Sequence, residues 1–238
     1  VHGLAGTPED LTYLKKGLEG RSEDGGVLVH LARCNKGKTK DGVAEGGSRL
    51  ADEIHQVVKS NPTLTRISLV GNSLGGLYAR KPAPEEGTPR GTVAGLEPSI
   101  FMTVASPHLG VRSFTFVPLP SSLHPLAGTF VGKTGSDLFM RSSNSKGSSS
   151  NIDRNSGRSS LLYDMATAEE YLTPLRAFRR RRVYANRRGD FMVPYGTAAF
   201  VGPDEEDGGN LLGKVGLSTF IWGAKEGTII GLSRIPPA

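Results

Sequence analysis

The run Gly71-Asn72-Ser73-Leu74-Gly75 sets a serine between two glycines. That is the spacing of a hydroxyl raised on a sharp turn to attack a carbonyl carbon. Glycine is common here, 32 of 238 residues, so the spacing alone carries little weight. Its surroundings carry more. Ile67 to Val70 reads as a strand running into the turn, and Leu74-Gly75-Gly76-Leu77-Tyr78 opens a helix. The glycines suit a strained turn closely approached by neighbouring chain, and the amides of the helix would face a developing negative charge. The competing reading is an ordinary serine in a tight turn. If Ser73 does attack, it needs amide donors for the oxyanion, a base for its proton and a carboxylate to orient that base.

One donor is the backbone N–H of Leu74, the residue after the serine. The second is expected from the loop His2-Gly3-Leu4-Ala5-Gly6, with His2 holding that loop rather than shuttling protons. Asp190 is the candidate carboxylate. It follows a short strand, Val183 to Ala185, in a glycine-preceded turn before Val193-Pro194-Tyr195; a surface aspartate is the alternative. The base is the difficulty. The five histidines are His2, His30, His55, His108 and His124, and none follows Asp190. His55, His108 or His124 serves only if the fold brings one within hydrogen-bond reach of Ser73.

The elements that must position these groups alternate. Thr7-Pro8-Glu9-Asp10 carries a helix start, followed by the stripe Leu11, Leu14, Leu18 and a stop at Gly20. Val27 to Ala32 reads as a buried strand, and Arg33–Gly47 as a polar loop. A second helix carries Leu50, Ile54, Val57 and Val58 and ends at Asn61-Pro62. The helix after Ser73 is halted by Pro82 and Pro84. Ile100 to Ala105 is a strand, and helical sequence spans Ala166–Arg180. Strands apolar throughout, alternating with helices, predict a parallel sheet covered on both faces in one domain over residues 1–238. Residues 141–160, rich in Ser, Asn and Gly, read as a mobile surface loop.

Hydrophobic content of 37% and charged content of 22% fit a soluble globular chain with no run long enough to span a bilayer. The formal charge of +6 is patchy, concentrated in Arg179–Arg182 and Arg187–Arg188, and reads as a solvated helix end. No aromatic residues interleave it for base stacking, so nucleic acid is not an expected partner. The single cysteine, Cys34, excludes an internal disulfide and favours an intracellular setting. No signal peptide is visible; the chain opens Val-His-Gly, so a targeting segment ahead of it is left open. Neither a metal nor a cofactor is expected. Cys and His show no ligand spacing, and Gly128-Thr129-Phe130-Val131-Gly132-Lys133-Thr134 is too short between its glycines for a phosphate loop.

Five separated blocks resemble, in order, the DUF676 serine esterases, an α/β-hydrolase group. They are VHGLAGTPEDL, the RLADEI helix, ISLVGNSLGGLYAR, GLEPSIFMTVASPHLG, and LRAFRRRRVYANRRGD with VPYGTA. The resemblance runs from Val1 to about Ala199 and leaves the tail 202–238 unmatched. It implies an α/β-hydrolase fold, mostly parallel, and hydrolysis of lipid acyl esters, with peripheral membrane contact allowed. By residue it implies Ser73 as nucleophile, Asp190 as acid, the His2–Leu4 loop as oxyanion wall with Leu4 and Leu74 as donors, and His2, Gly3 and His108 as site-shaping residues. The family's catalytic histidine follows the acid, and the strand leading into its first block precedes Val1. Both departures read as a chain truncated at both ends, or a splice product. A catalytically inactive relative that binds acyl lipid or a protein partner is therefore carried beside the hydrolase, as is an acyltransferase. Phe114–Leu126 is expected as a lid or acyl wall, or as plain packing.

Overall fold

The computed structural model describes residues 1–21, 26–81, 89, 91–111, 132–140, 160–188, 190 and 192–201, and the backbone of 219–224 and 227–232. Thr7 caps a 3-10 turn, Pro8–Leu11, that runs into α1 (Thr12–Glu19), and the Thr7 amide donates to Asp10 Oδ2 at 2.9 Å. The expected stripe is buried only at Leu11; Leu18 stays exposed. α2 (Val43–Ser60) begins seven residues before its apolar stripe. Its start is fixed from a distance: Thr134 Oγ1 accepts the Gly42 amide at 2.9 Å and Asp137 Oδ2 the Val43 amide at 2.8 Å, both from α4 (Gly132–Leu138).

The sheet holds β1 (Arg66–Asn72), β2 (Glu97–Val104), β3 (Arg180–Asn186), β4 (Thr219–Ala224) and β5 (Gly227–Leu232), in the order β1-β2-β3-β5-β4. The first three are parallel, with helices between them, which makes the chain α/β. The unmatched tail contributes the antiparallel pair β4 and β5, laid against β3, so the sheet is more mixed than the apolar strands implied. The principal core joins Val43 and Leu50 of α2 to Leu74, Leu77 and Tyr78 of α3 (Leu74–Tyr78) and to Phe101 of β2. The helices meet closely, since a Cβ on Gly46 would lie 2.2 Å from Tyr78 Cε1.

Three expectations are corrected. Val27–Ala32 takes no regular secondary structure and joins no ladder. Its far end is held instead by one side chain: Glu53 accepts the amides of Arg33 and Cys34 and bonds His30 Nε2 at 2.8 Å. The single helix over Ala166–Arg180 is two, α5 (Leu161–Thr167) and α6 (Glu169–Ala177), because Ala168 takes extended angles (φ −83, ψ 134). Arg180–Arg182 are not a helix end. They begin β3, paired with Ile100–Met102, and only the Arg181 guanidinium turns back, donating to the carbonyls of Arg176 (2.9 Å) and Phe178 (2.8 Å). The lid segment Phe114–Leu126, His124 and nearly all of 141–160 lie outside the described residues.

Burial works against the Glu53 charge, but hydrogen bonds from Cys34, His30 and the amides outweigh it and pull the carboxyl down to about 2. A carboxylate depressed on folding stabilises above its unfolded value and loses that contribution as pH falls through the folded one. Glu53→Gln should therefore cost about 1–2 kcal/mol in urea unfolding at neutral pH. The gap to the parent chain should close as pH drops from 4.5 toward 2. A gap independent of pH would assign the loss to packing.

Candidate active site

β1 ends at Asn72 and α3 begins at Leu74, leaving one residue for the reversal. That residue, Ser73, sits at φ 51, ψ −125. An L-residue there is strained, typically by about 1–3 kcal/mol. The strain persists because both flanks are fixed: the Ser73 amide donates to Val104 O at 2.8 Å, and its carbonyl accepts the Gly76 amide at 3.0 Å. The turn is tight enough that a Cβ on Gly71 would lie 2.4 Å from Gly76 Cα. Glycine at 71 is a steric necessity, and so is Gly75, the other glycine of the sequence pattern, where a Cβ would run into the carbonyl oxygens of Val1 and His2.

The loop Val1–Gly6 lies directly on the serine. A Cβ on Gly3 would meet Ser73 Cβ at 2.8 Å and Oγ at 3.3 Å. Buried His2 places Nδ1 3.1 Å from Gly3 O, and the Gly6 amide donates to the same carbonyl at 3.1 Å. The Ala5 amide donates to Thr39 Oγ1 at 2.9 Å. None of these bonds uses the Leu4 amide. Leu74 is the first residue of α3, and first-turn amides have no carbonyl partner within a helix. Thr39 is the residue that sequence reading missed. Buried, it holds the loop through its hydroxyl, while its carbonyl accepts from Tyr78 Oη (3.2 Å) and Thr134 Oγ1 (2.7 Å). Nothing local marks it, since its partners lie 34 to 95 residues away.

Asp190 leaves the far side of the same sheet end. Asn72 pairs with Val104 and Val104 with Tyr184, so the C-terminal ends of β1, β2 and β3 are level. Two strand spacings separate β1 from β3, roughly 10 Å. The aspartate is tied back to its strand: Asn186 Nδ2 donates to Oδ2 at 3.1 Å, and the amides of Met192 (3.2 Å) and Val193 (2.9 Å) donate to Oδ1. Asn186 is a second residue that the sequence did not single out.

The histidines do not close the gap among the described residues: none is hydrogen-bonded to Ser73 or to Asp190. His30 is occupied by Glu53. His55 lies on α2. His108 follows β2, with Nε2 2.9 Å from Thr103 Oγ1 and its ring stacked on Phe200 at 4.5 Å. Burial, and then the charge of Arg80, push it well below the ordinary imidazole value, so it is neutral and a weak base. The next amide, Leu109, donates to Thr197 Oγ1 at 3.0 Å and ties this corner to α7 (Tyr195–Ala199).

The family model described as "Putative serine esterase (DUF676)" matches residues 1–201. The chain belongs to that family. It is similar to "Putative lipase ROG1" of Saccharomyces cerevisiae, 30% identical over 219 residues, 87% of this chain and 29% of that protein. It is also similar to "Putative lipase C4A8.10" of Schizosaccharomyces pombe, 29% identical over 210 residues, 84% of this chain and 25% of that protein. This DUF676 chain thus spans under a third of the length of those relatives. No solved structure matches it significantly. Among the described residues of this family member, no helix is long and apolar enough to cross a membrane.

The strained turn makes a prediction independent of any activity. Ser73→Gly should raise stability by about 0.5–2 kcal/mol, because glycine accepts positive φ freely. Gly71→Ala should cost about 3 kcal/mol or more, since the clash is with backbone. Chemical unfolding of both variants checks the pair. A destabilised Ser73→Gly would show that the serine side chain, rather than its backbone, holds the turn.

Proposed function

We propose that this chain is a serine carboxylic-ester hydrolase with an α/β-hydrolase fold, helices on both sheet faces, acting on lipid acyl esters through an acyl-enzyme on Ser73. The observation that supports it most is the strained serine at the end of β1 with the backbone of Gly3 laid over it. A structural serine has no need of that strain or that cover. The lipase names of the yeast relatives support a lipid acyl ester as substrate class.

In this reading Ser73 Oγ bonds to the ester carbonyl carbon as its proton passes to a base, and the carbonyl electron pair moves onto oxygen. The Leu74 and Leu4 amides receive that oxyanion, with His2 and Gly3 shaping the wall. The tetrahedral intermediate collapses, and the alcohol leaves with the proton from the base. Water then releases the carboxylic acid by the same route in reverse. Asp190 orients the base, and His108 shapes the corner between β2 and α7. His124 is the histidine whose surroundings lie outside the described residues, and we assign it the first test as base. An alcohol in place of water would make the chain an acyltransferase.

One observation favours a second reading. With no described histidine on Ser73, a non-catalytic relative that binds acyl lipid or a protein partner fits the same geometry. Removing one triad member typically leaves a residual acceleration of only about 10³–10⁴.

A fluorophosphonate probe separates the two readings. The hydrolase should gain one probe adduct by intact mass. That adduct should vanish in Ser73→Ala, and the labelling rate should fall by at least about 100-fold in His124→Ala and Asp190→Asn. Folded chain that stays unlabelled would leave the non-catalytic reading. Labelling untouched by His124→Ala would take the base away from His124.

A further inference from the structure

The loop over the serine holds its shape against a local preference. Gly3 O accepts the Gly6 amide at 3.1 Å, which closes a four-residue turn with Leu4 and Ala5 at its centre. Ala5 takes φ 53, while Leu4 is not among the residues at positive φ. Positive φ at the second central position alone marks a type II turn, and that position suits glycine or asparagine. Alanine is disfavoured there, because its Cβ crowds the backbone. Type I is the relaxed alternative for the same four residues. The two turns differ by about half a rotation of one peptide, the one joining Leu4 to Ala5.

Thr39 holds that peptide. The Ala5 amide, which belongs to it, donates to Thr39 Oγ1 at 2.9 Å. In a type I turn this N–H would point away and the bond would break. Thr39 is 4% exposed, and its own position is fixed from two sides. Its carbonyl accepts Tyr78 Oη at 3.2 Å and Thr134 Oγ1 at 2.7 Å, both from fully buried side chains. Tyr78 closes α3, the five-residue helix that Leu74 opens. Thr39 is thus bonded to both elements that carry the candidate oxyanion donors. Its hydroxyl takes the turn holding Leu4, and its carbonyl takes the helix holding Leu74.

We propose that Thr39 is a positioning residue for the reaction at Ser73. Its hydroxyl keeps the Leu4–Ala5 peptide in the type II orientation, and that orientation sets where the Leu4 amide stands relative to the oxyanion. This role rests on the ester-hydrolase reading, in which Leu4 and Leu74 receive the charge. A turn released to type I moves Leu4 against Gly3, whose backbone lies on Ser73. A displacement of about 1 Å at a reacting centre costs on the order of 100-fold in rate. Plain packing asks for no oxygen at this position, since valine fills the same space.

The test measures the fluorophosphonate labelling rate of the full chain and, in parallel, the backbone chemical shifts of Leu4 and Ala5. Thr39→Val should label about 100-fold more slowly and lose the positive-φ shifts of Ala5. Thr39→Ser keeps the acceptor and should stay within about threefold of the parent. Adding Ala5→Gly to Thr39→Val should recover about fivefold or more of the lost rate, because glycine takes positive φ with no Cβ to clash. Should Thr39→Val fail to fold, Thr39→Ala replaces it with the same expectations. A loss that Thr39→Ser shares, or that Ala5→Gly leaves in place, makes Thr39 a packing residue and overturns the proposal. So does a labelled parent whose rate is indifferent to Thr39→Val. A folded parent that takes no label is a separate failure. It defeats the hydrolase reading, and the Ala5 shifts then decide whether Thr39 sets the turn.

Discussion

The rest of this molecule depends on the distance of closest approach between β1 and α3. The reversal between them occupies one residue, and it closes only because Gly71, having no Cβ, lets the backbone of Gly75 and Gly76 come against it. That contact fixes the direction of α3. α3 in turn supplies Leu74, Leu77 and Tyr78 to the core and sets the face against which α2 packs through Gly46. The same closeness leaves Ser73 at positive φ and lets Gly3 lie over it. Strain at the turn and burial in the core are thus two consequences of one steric fact. The turn stays strained because the packing around it has no slack in which to relax.

Around that point the chain uses side chains from remote segments to hold main chain that belongs to no ladder. Thr39 takes the Ala5 amide, Glu53 the amides of Arg33 and Cys34, Asp190 those of Met192 and Val193, and Asp137 that of Val43. The partly buried donors among them, the amides of Ala5, Cys34, Val43 and Val193, would otherwise cost about 1–3 kcal/mol each unpaired. Apart from those of Asp190, the bonds tie main chain in and beside the connecting loops to side chains of distant segments. Cys34, in one of them, is pushed up to about 12 by burial and by its neighbour Glu53, so its thiol is inert packing.

Much of the fold could be read directly. The cap at Thr7, the strand into Ser73, the strand before Ser106 and the stop at Asn61 rest on local chemistry: a proline at a helix start, an apolar run, a turn residue. The misreadings share a cause. Val27–Ala32 has the composition of a strand, but a strand exists only when a neighbour accepts its hydrogen bonds. Arg180–Arg182 have the composition of a helix end, but the open edge of β2 recruits them into the sheet. Ala168 takes extended angles and breaks a helix that its neighbours would have continued, with Met165 before it and Tyr171 after it both buried in the core.

The sequence by itself determined the α/β alternation, the serine turn with its glycines and the membership of the chain in a serine-esterase family, because each is written in residues adjacent along the chain. Only the tertiary structure decided what those residues meet. It levelled the C-terminal ends of β1 and β3 so that Ser73 and Asp190 emerge from the same end of the sheet. It chose Thr39 to anchor the loop over the serine and kept His108 in a neutral, stacked corner. Those outcomes turn on contacts between segments tens of residues apart, and a linear pattern carries no record of which distant atoms come within a hydrogen bond of one another.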